Sequence, residues 1–296
     1  MTEQFNTTDR GLLVYAPAKI NLFLLIAGKR PDGFHELETL MAKIDWCDEL
    51  LFEPGRTDGI ELVCRGPHWA PDGPDNLVYR ACALLLEQAG RSTPLRVTLT
   101  KNIPAGTGLG SASSDAAAAL LGLNRFAELN QPMSVLHAIA AQLGSDIAFF
   151  LYGPAAVCTG RGEKIRPLDD IFPFEALVLT PNLSVPTKSV YANYRHSDAE
   201  YRRWADKIKP LIEKKKVDSV AKICANMLES SCFELHRELA ELKDRCEAFC
   251  GCKVCLSGSG SAMFILTPDR QQTPRLQRWL KNEFNCESRF VNNNRW

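Results

Sequence analysis

The sequence predicts an α+β chain in two parts, on three observations. Residues 95–100, Leu95-Arg96-Val97-Thr98-Leu99-Thr100, alternate apolar and polar side chains with the period of a half-buried strand. A glycine- and serine-rich run follows at once and opens into an alanine- and leucine-rich helix, expected from about Ser114 to Leu129. Beyond about residue 165 the order becomes strand, helices, strand, strand, helix, strand, which suits a split βαβ sandwich of ferredoxin type. The 296 residues suffice for two ordinary domains. The change of pattern sets their expected bounds at 1–165 and 166–296.

In chain order, residues 12–16 and 20–27 read as two strands, separated at Pro17 because proline cannot donate to a ladder. Gly28-Lys29-Arg30-Pro31-Asp32-Gly33 is turn-rich. Residues 39–52 read as more strand, with a turn at Asp45-Trp46-Cys47-Asp48. Asp75 is the expected cap of a helix over 76–89, ended by Gly90. Ser134 is expected to cap a helix through Leu143, and Gly160-Arg161-Gly162-Glu163 to form a tight turn. In the second half, strands are expected at 176–180, 253–256, 262–266 and 288–291. Helical segments are expected over 200–216, 217–229, 235–250 and 269–282. Ser257-Gly258-Ser259-Gly260-Ser261 reads as a hairpin connection.

Bulk properties narrow the function. Lys plus Arg and Asp plus Glu both number 35, so no global field gathers nucleic acid. Residues 1–10 lack the charged start and apolar core of a signal peptide, and no apolar run approaches the roughly 20 residues of a membrane span. The expected location is the cytoplasm. Eleven cysteines, an odd number, are then expected as reduced thiols. Cys246, Cys250, Cys252 and Cys255 crowd together, but their spacing lacks a second C-x2-C pair, and buried small hydrophobes are the expected role.

The run Pro104-Ala105-Gly106-Thr107-Gly108-Leu109-Gly110-Ser111-Ala112-Ser113-Ser114-Asp115 carries the chemistry. Glycines let the backbone approach a ligand closely, and the helix behind them offers free N–H groups and a positive dipole end. Phosphate is the expected occupant. No lysine completes a Walker A loop, and Ser111 stands where a dinucleotide fingerprint needs its third glycine. A plain connecting turn is the alternative. Lys19 either reaches solvent from a strand end or points into a cleft. Asp146 either caps the next helical turn or is a buried carboxylate in that cleft.

Three stretches in order resemble the motifs of the kinase superfamily named for galactokinase, homoserine kinase, mevalonate kinase and phosphomevalonate kinase (GHMP). They are Pro17-Ala18-Lys19-Ile20-Asn21-Leu22, residues 104–117, and Leu256-Ser257-Gly258-Ser259-Gly260-Ser261. Within that superfamily the chain is most similar to the 4-diphosphocytidyl-2-C-methyl-D-erythritol kinases. Arg30-Pro31-Asp32-Gly33-Phe34-His35, Asp75-Asn76-Leu77, Gly144-Ser145-Asp146-Ile147 and Val185-Pro186-Thr187 carry that closer likeness.

The resemblance implies a two-domain fold, with an N-terminal domain like ribosomal protein S5 domain 2, a ferredoxin-like C-terminal domain, and a site between them. It implies ATP- and magnesium-dependent phosphorylation of a hydroxyl on a cytidine-diphosphate-linked methylerythritol, in the non-mevalonate route to isoprenoids. Lys19 and Asp146 match the catalytic pair. Residues 104–114 would wrap the ATP phosphates, with Ser113 or Ser114 toward a magnesium ion that no protein cage holds. Asn76, Leu77 and Lys101 match the adenine pocket. Asn21 matches a position near the reacting end, His35 the reader of the cytosine edge, Phe34 and Tyr191 the two rings around the base, and Thr187 a further substrate contact. Ser111 and Ala112 replace the family's glycines, and Phe34 replaces a frequent tyrosine. The rival readings are a sister kinase of homoserine or mevalonate type and a catalytically silent nucleotide-binding protein. No nucleic-acid or membrane partner is expected, and the sequence does not give the oligomeric state.

Overall fold

Leu12–Lys29 is one strand, not two, and much of the fold is laid against it. A computed structural model describes residues 3–168, 173–214 and 216–296. Among these, the first sheet comprises β1 (Phe5–Thr7), β2 (Leu12–Lys29), β3 (His35–Pro54), β4 (Ile60–Arg65), β5 (Leu95–Thr100), β6 (Ala155–Gly160) and β7 (Lys164–Pro167). Its order is β1-β2-β3-β5-β4, with β6 pairing β3 and β7 on β6. Neighbours are antiparallel except β4 and β5.

Pro17 does not end β2. The β2–β3 register slips between Pro17 and Lys19, so the missing donor is absorbed in an irregularity while pairing resumes beyond it. The expected turn at residues 45–48 is corrected as well, because these residues lie inside β3. Their acids serve neighbouring backbone instead: Asp45 accepts from the Asn292 N–H at 2.9 Å and Asp48 from the Ile103 N–H at 2.8 Å.

Helices α1 (Leu77–Gln88), α2 (Ser111–Phe126), α3 (Met133–Leu143) and α4 (Ile147–Phe150) belong to the first half. Asn76, not Asp75, caps α1: its side chain accepts from the Val78 N–H. Pro132, not Ser134, stands at the cap of α3, and α2 begins at Ser111, three residues before expectation.

The second sheet contains β8 (Glu175–Thr180), β9 (Cys255–Leu256), β10 (Met263–Leu266) and β11 (Glu287–Asn292) in the antiparallel order β11-β8-β10-β9. That is the split βαβ order 4-1-3-2 expected from the sequence. Its helices are α5 (Thr187–Asn193), α6 (Asp198–Glu213), α7 (Val217–Ile223), α8 (Glu229–Leu235), α9 (Arg237–Cys250) and α10 (Thr273–Phe284). The 257–261 run joins β9 to β10 as a hairpin.

β2 explains why the halves meet. Leu12, Val14 and Ala16 pack with Phe52, Ala116 and Leu120 of the first half, whereas Ile20, Leu22, Leu24 and Ile26 join a core with Val220, Met227, Leu256 and Phe264 of the second. Leu24 donates its N–H to Ala225 and accepts from Met227. Burial of both faces is why the period-two signal fades along this strand.

The cysteine expectation needs one correction. Cys224 and Cys255 are joined by a disulfide, at a Cα separation of 6.2 Å. Cys246 is buried. Among the described residues, no group of three or more His, Cys, Asp or Glu is arranged to hold a metal ion, and no helix is long and apolar enough to cross a membrane.

Candidate active site

The three sequence motifs converge on the Lys19 ammonium. Lys19 lies on β2 just past the irregularity and is 3% exposed. Its Nζ donates to Asn21 Oδ1 at 2.6 Å and to the Gly108 carbonyl at 2.5 Å, and its backbone N–H donates to the Leu109 carbonyl. Asn21 is itself held, since its Nδ2 donates to Thr39 Oγ1 and that hydroxyl donates to the Phe23 carbonyl.

The hairpin 257–261 closes the third side. Ser257 Oγ donates to the Gly108 carbonyl at 3.1 Å, and the Ala262 N–H to the Thr107 carbonyl at 2.9 Å. The approach is close enough to require glycine: a β-carbon at Gly108 would stand 2.1 Å from the Ser257 carbonyl oxygen, where φ is +79°. Thr187, exposed at the start of α5, meets Ser259 hydroxyl to hydroxyl at 2.9 Å.

Asp146 immediately precedes α4 but makes no capping hydrogen bond, which removes the capping alternative. Burial pushes the Lys19 ammonium below its ordinary range, while the Asp146 carboxylate and the Cys158 thiol draw it back up. The same carboxylate, after burial, raises the Cys158 thiol and the Tyr191 phenol. Lys19, Asp146, Cys158 and Tyr191 therefore share one electrostatic neighbourhood. The 160–163 turn lies over it, because a β-carbon at Gly162 would stand 3.3 Å from Asp146 Oδ1.

Of the three residues that the resemblance sets around a cytosine, His35 and Tyr191 come together. The His35 ring lies 5.3 Å from Tyr191 and 5.6 Å from Tyr194. Burial, then the charges on Lys29 and His196, lower the His35 pKa. Phe34 is 53% exposed, with the Arg161 guanidinium 5.0 Å above its ring.

Within the glycine run, Ala105, Gly106 and Ala112 are exposed, Pro104, Gly108, Gly110 and Ser113 half-buried, and Thr107, Leu109, Ser111 and Ser114 buried. Ser114 Oγ and the adjacent Asp115 Oδ1 are buried and make no hydrogen bond among the described residues. Ser111, the departure from glycine, is tied down beneath the loop: its hydroxyl donates to Asp48 Oδ2 at 2.9 Å and is contacted by Lys101 Nζ.

Lys101 lies beneath that loop: its ammonium is 2% exposed and is committed to Asp48, Ser111 and Asp115 (2.6 Å). Burial works against its charge, but Asp115 and Asp48 outweigh burial and raise its pKa. Burial, then repulsion from Asp48, holds the Asp115 carboxyl well above the usual range against the pull of Lys101. Asn76 is also buried, with Nδ2 donated to the Pro71 carbonyl at 2.7 Å and Oδ1 spent on the α1 cap. Leu77 follows it, half-buried in the first turn of α1.

Sequence reasoning passed over Thr39, Asp48, Asp115, Cys158 and Gly258 as site residues. Gly258 was within reach, in the third motif. Asp115 was within reach too, in the second motif; Thr39, Asp48 and Cys158 carry no local signal, since an isolated acid, thiol or threonine in a strand has no diagnostic spacing.

The chain matches the GHMP kinases N terminal domain over residues 76–154 and the GHMP kinases C terminal family over residues 208–286. It is 36% identical over 267 residues to 4-diphosphocytidyl-2-C-methyl-D-erythritol kinase of a Geobacillus species, covering 90% of this chain and 91% of the relative. It is 37% identical to the protein of the same name from Listeria innocua, covering 94% of each. A solved structure named 4-(cytidine 5'-diphospho)-2C-methyl-D-erythritol kinase superposes with a TM-score of 0.75 at 35% identity, covering 95% of this chain and 99% of the other. Homoserine kinase from Cytophaga hutchinsonii has a TM-score of 0.73 at 19% identity, covering 100% of this chain and 97% of the other, and shares the fold. The chain belongs to the 4-diphosphocytidyl-2-C-methyl-D-erythritol kinase family, within the GHMP kinases.

Proposed function

We propose that this protein transfers the γ-phosphoryl group of ATP to a hydroxyl of 4-diphosphocytidyl-2-C-methyl-D-erythritol, a step of the non-mevalonate route to isoprenoid precursors. The observation that carries the reading is the Lys19 ammonium, held by Asn21 and the Gly108 carbonyl within the field of Asp146. Asp146 accepts the proton of the substrate hydroxyl as its oxygen bonds to phosphorus and the bond to the β-phosphate oxygen breaks. The Lys19 ammonium, in the field of the Asp146 carboxylate, offsets charge developing at the reacting oxygens. Backbone N–H groups of residues 106–114 hold the phosphates at the start of α2. Phosphoryl transfer asks mainly for this kind of positioning and charge neutralisation.

Magnesium would arrive with ATP, clamping phosphate oxygens and neutralising their charge. The Ser114 hydroxyl, buried and without a hydrogen-bond partner among the described residues, is the kind of hard oxygen donor such an ion would take, with Ser113 beside it. Phe34 and Tyr191 would flank the cytosine, with His35 at its edge and Thr187 and Asn21 contacting substrate. A split of the chain into two working units is supported by the two sheets, whose strands come from residues 5–167 and 175–292, with the boundary after β7 (Lys164–Pro167) and not within it at residue 165. Cytoplasmic location accords with a small-molecule kinase.

A substrate panel with ATP tests the reading. The expected result is turnover of the cytidine-linked tetritol, with homoserine and mevalonate slower by orders of magnitude. Preferential turnover of either of those overturns it.

A further inference from the structure

Lys43 lies opposite Lys19 in the β2–β3 register and is 1% exposed. Its ammonium makes no ion pair among the described residues. It donates instead to the Phe150 carbonyl at 3.1 Å and the Tyr152 carbonyl at 2.6 Å. Phe150 closes α4, the single turn that Asp146 precedes, so Lys43 takes up a carbonyl that the helix end leaves without an internal partner. The Phe150 ring reaches the other catalytic group: its Cζ and the Cγ and Cε of Lys19 all lie within 3.2 Å of where a β-carbon on Gly110 would stand.

We propose that Lys43 is a positioning residue for the phosphoryl-transfer site. By anchoring the C-terminal end of α4 it sets both the Asp146 carboxyl before that turn and the Phe150 ring against the Lys19 stem. The proposal rests on the reading of Lys19 and Asp146 as the reacting pair.

A buried amine without a carboxylate is an expensive device for fixing two carbonyls, and its surroundings bear this out. Burial lowers Lys43 from an ordinary 10.5 to about 7. Of the elements around it, β2 carries Tyr15, Lys19 and Lys29, Asp146 and Tyr152 flank α4, β6 carries Cys158, and its own strand carries His35, Glu36, Glu38, Asp45, Cys47, Asp48, Glu49 and Glu53. Of these, the Cys47 thiol acts on it in the raising direction, and burial pushes that thiol itself up to about 12, so it stays neutral. The unfolded chain therefore binds a proton between pH 7 and 10.5 that the folded chain releases, and stability rises with pH across that window. An apolar group of similar length should relieve that burden at and below pH 7 while leaving the carbonyls unanchored. Stability and rate then move in opposite directions, which a merely structural residue would not produce.

The test is Lys43→Met, with Lys43→Gln as the variant that keeps two N–H donors without the charge. Lys43→Met is expected to lower kcat by about tenfold or more, as a small misplacement of reacting groups does, with KM for ATP within about twofold. Its thermal midpoint at pH 7 should be no lower than that of the unaltered protein, and any gain should shrink toward pH 10.5. Lys43→Gln is expected to recover most of kcat. If Lys43→Met does not fold, Lys43→Leu, which likewise offers no donor to the Phe150 and Tyr152 carbonyls, is measured for the same kinetic readouts and decides. Unchanged kcat in Lys43→Met, or activity lost only in proportion to folded protein, overturns the proposal. Asp146→Asn is measured alongside. If it remains active, the reading of the reacting pair fails and takes this proposal with it; if only the Lys43 variants remain active, the reading stands and this proposal alone fails.

Discussion

A β-carbon on Gly258 would stand 3.3 Å from the Lys19 ammonium nitrogen and 3.4 Å from both Asn21 Oδ1 and the Gly108 carbonyl oxygen. The hairpin between β9 and β10 thus forms a wall of the site, and a side chain on that wall would press on the ammonium.

Gly258→Ala should therefore act on chemistry as well as on stability. Its φ is +59°, where an alanine costs about 1–2 kcal/mol. The added methyl crowds the Lys19 ammonium. The expected outcome is a modest fall in thermal midpoint and a drop in kcat of about tenfold. A variant with full kcat would show that the ammonium has slack the structure does not record.

Asp146→Asn should reduce kcat by about 10²–10⁴-fold, the usual contribution of a general base. Circular dichroism and the thermal midpoint should be little changed, because the side chain caps no helix. Steady-state kinetics with saturating ATP are the measurement, and near-normal turnover would remove Asp146 from the mechanism.

Lys101→Met removes the cation between two buried carboxyls. Breaking such a group by deleting one partner costs about 3–5 kcal/mol, so the denaturant midpoint should fall sharply. Adding Asp115→Asn should recover part of the loss, since the pair then carries one buried carboxylate fewer. If the double variant is less stable than the single one, the network is not balanced as the contacts indicate.

The His35 pKa is lowered, so its ring holds the neutral form to a lower pH than an ordinary imidazole of 6.5. KM for the cytidine substrate should be flat from pH 7 to 8 and rise only on the acid side of the ordinary imidazole value, ~6.5, while KM for ATP stays level. A parallel rise in both constants would assign the acid limb to another group.

Ser111→Gly restores the family's glycine but removes the hydroxyl that Asp48 and Lys101 share. The expected result is a KM for ATP raised several-fold with kcat largely kept, because the loop loses its tether and not a reacting group. The physical basis is the net contribution of about 1.5–3 kcal/mol for a hydrogen bond to a charged partner. An unchanged KM would make the tether dispensable.

Much of the organisation was legible from the chain alone. The strand, glycine run and helix at β5 and α2, and the second-half pattern that becomes the 4-1-3-2 sheet, follow from periodicity, caps and turn residues, which act over a few positions; β1, β4, β6, β7 and α5 were not expected. Those local signals erred where a residue has two uses. Pro17 broke the pattern of β2 without ending the strand, because a register slip absorbed it. The polar run at 45–48 looked like a turn because the backbone groups its acids bind lie far off in sequence.

What the amino-acid order determined by itself was therefore the helices and strands with strong local signals, the three motifs and the family they resemble. Only the tertiary structure decided that Gly108 would meet Lys19 across 89 residues and Ser257 across 149. Only there did Lys101 turn inward between Asp48 and Asp115, and Lys43 find the end of α4. Spacing reports where the backbone goes next. It does not report which distant strand will bury a charge, because that depends on which faces are left to cover one another once the chain has closed.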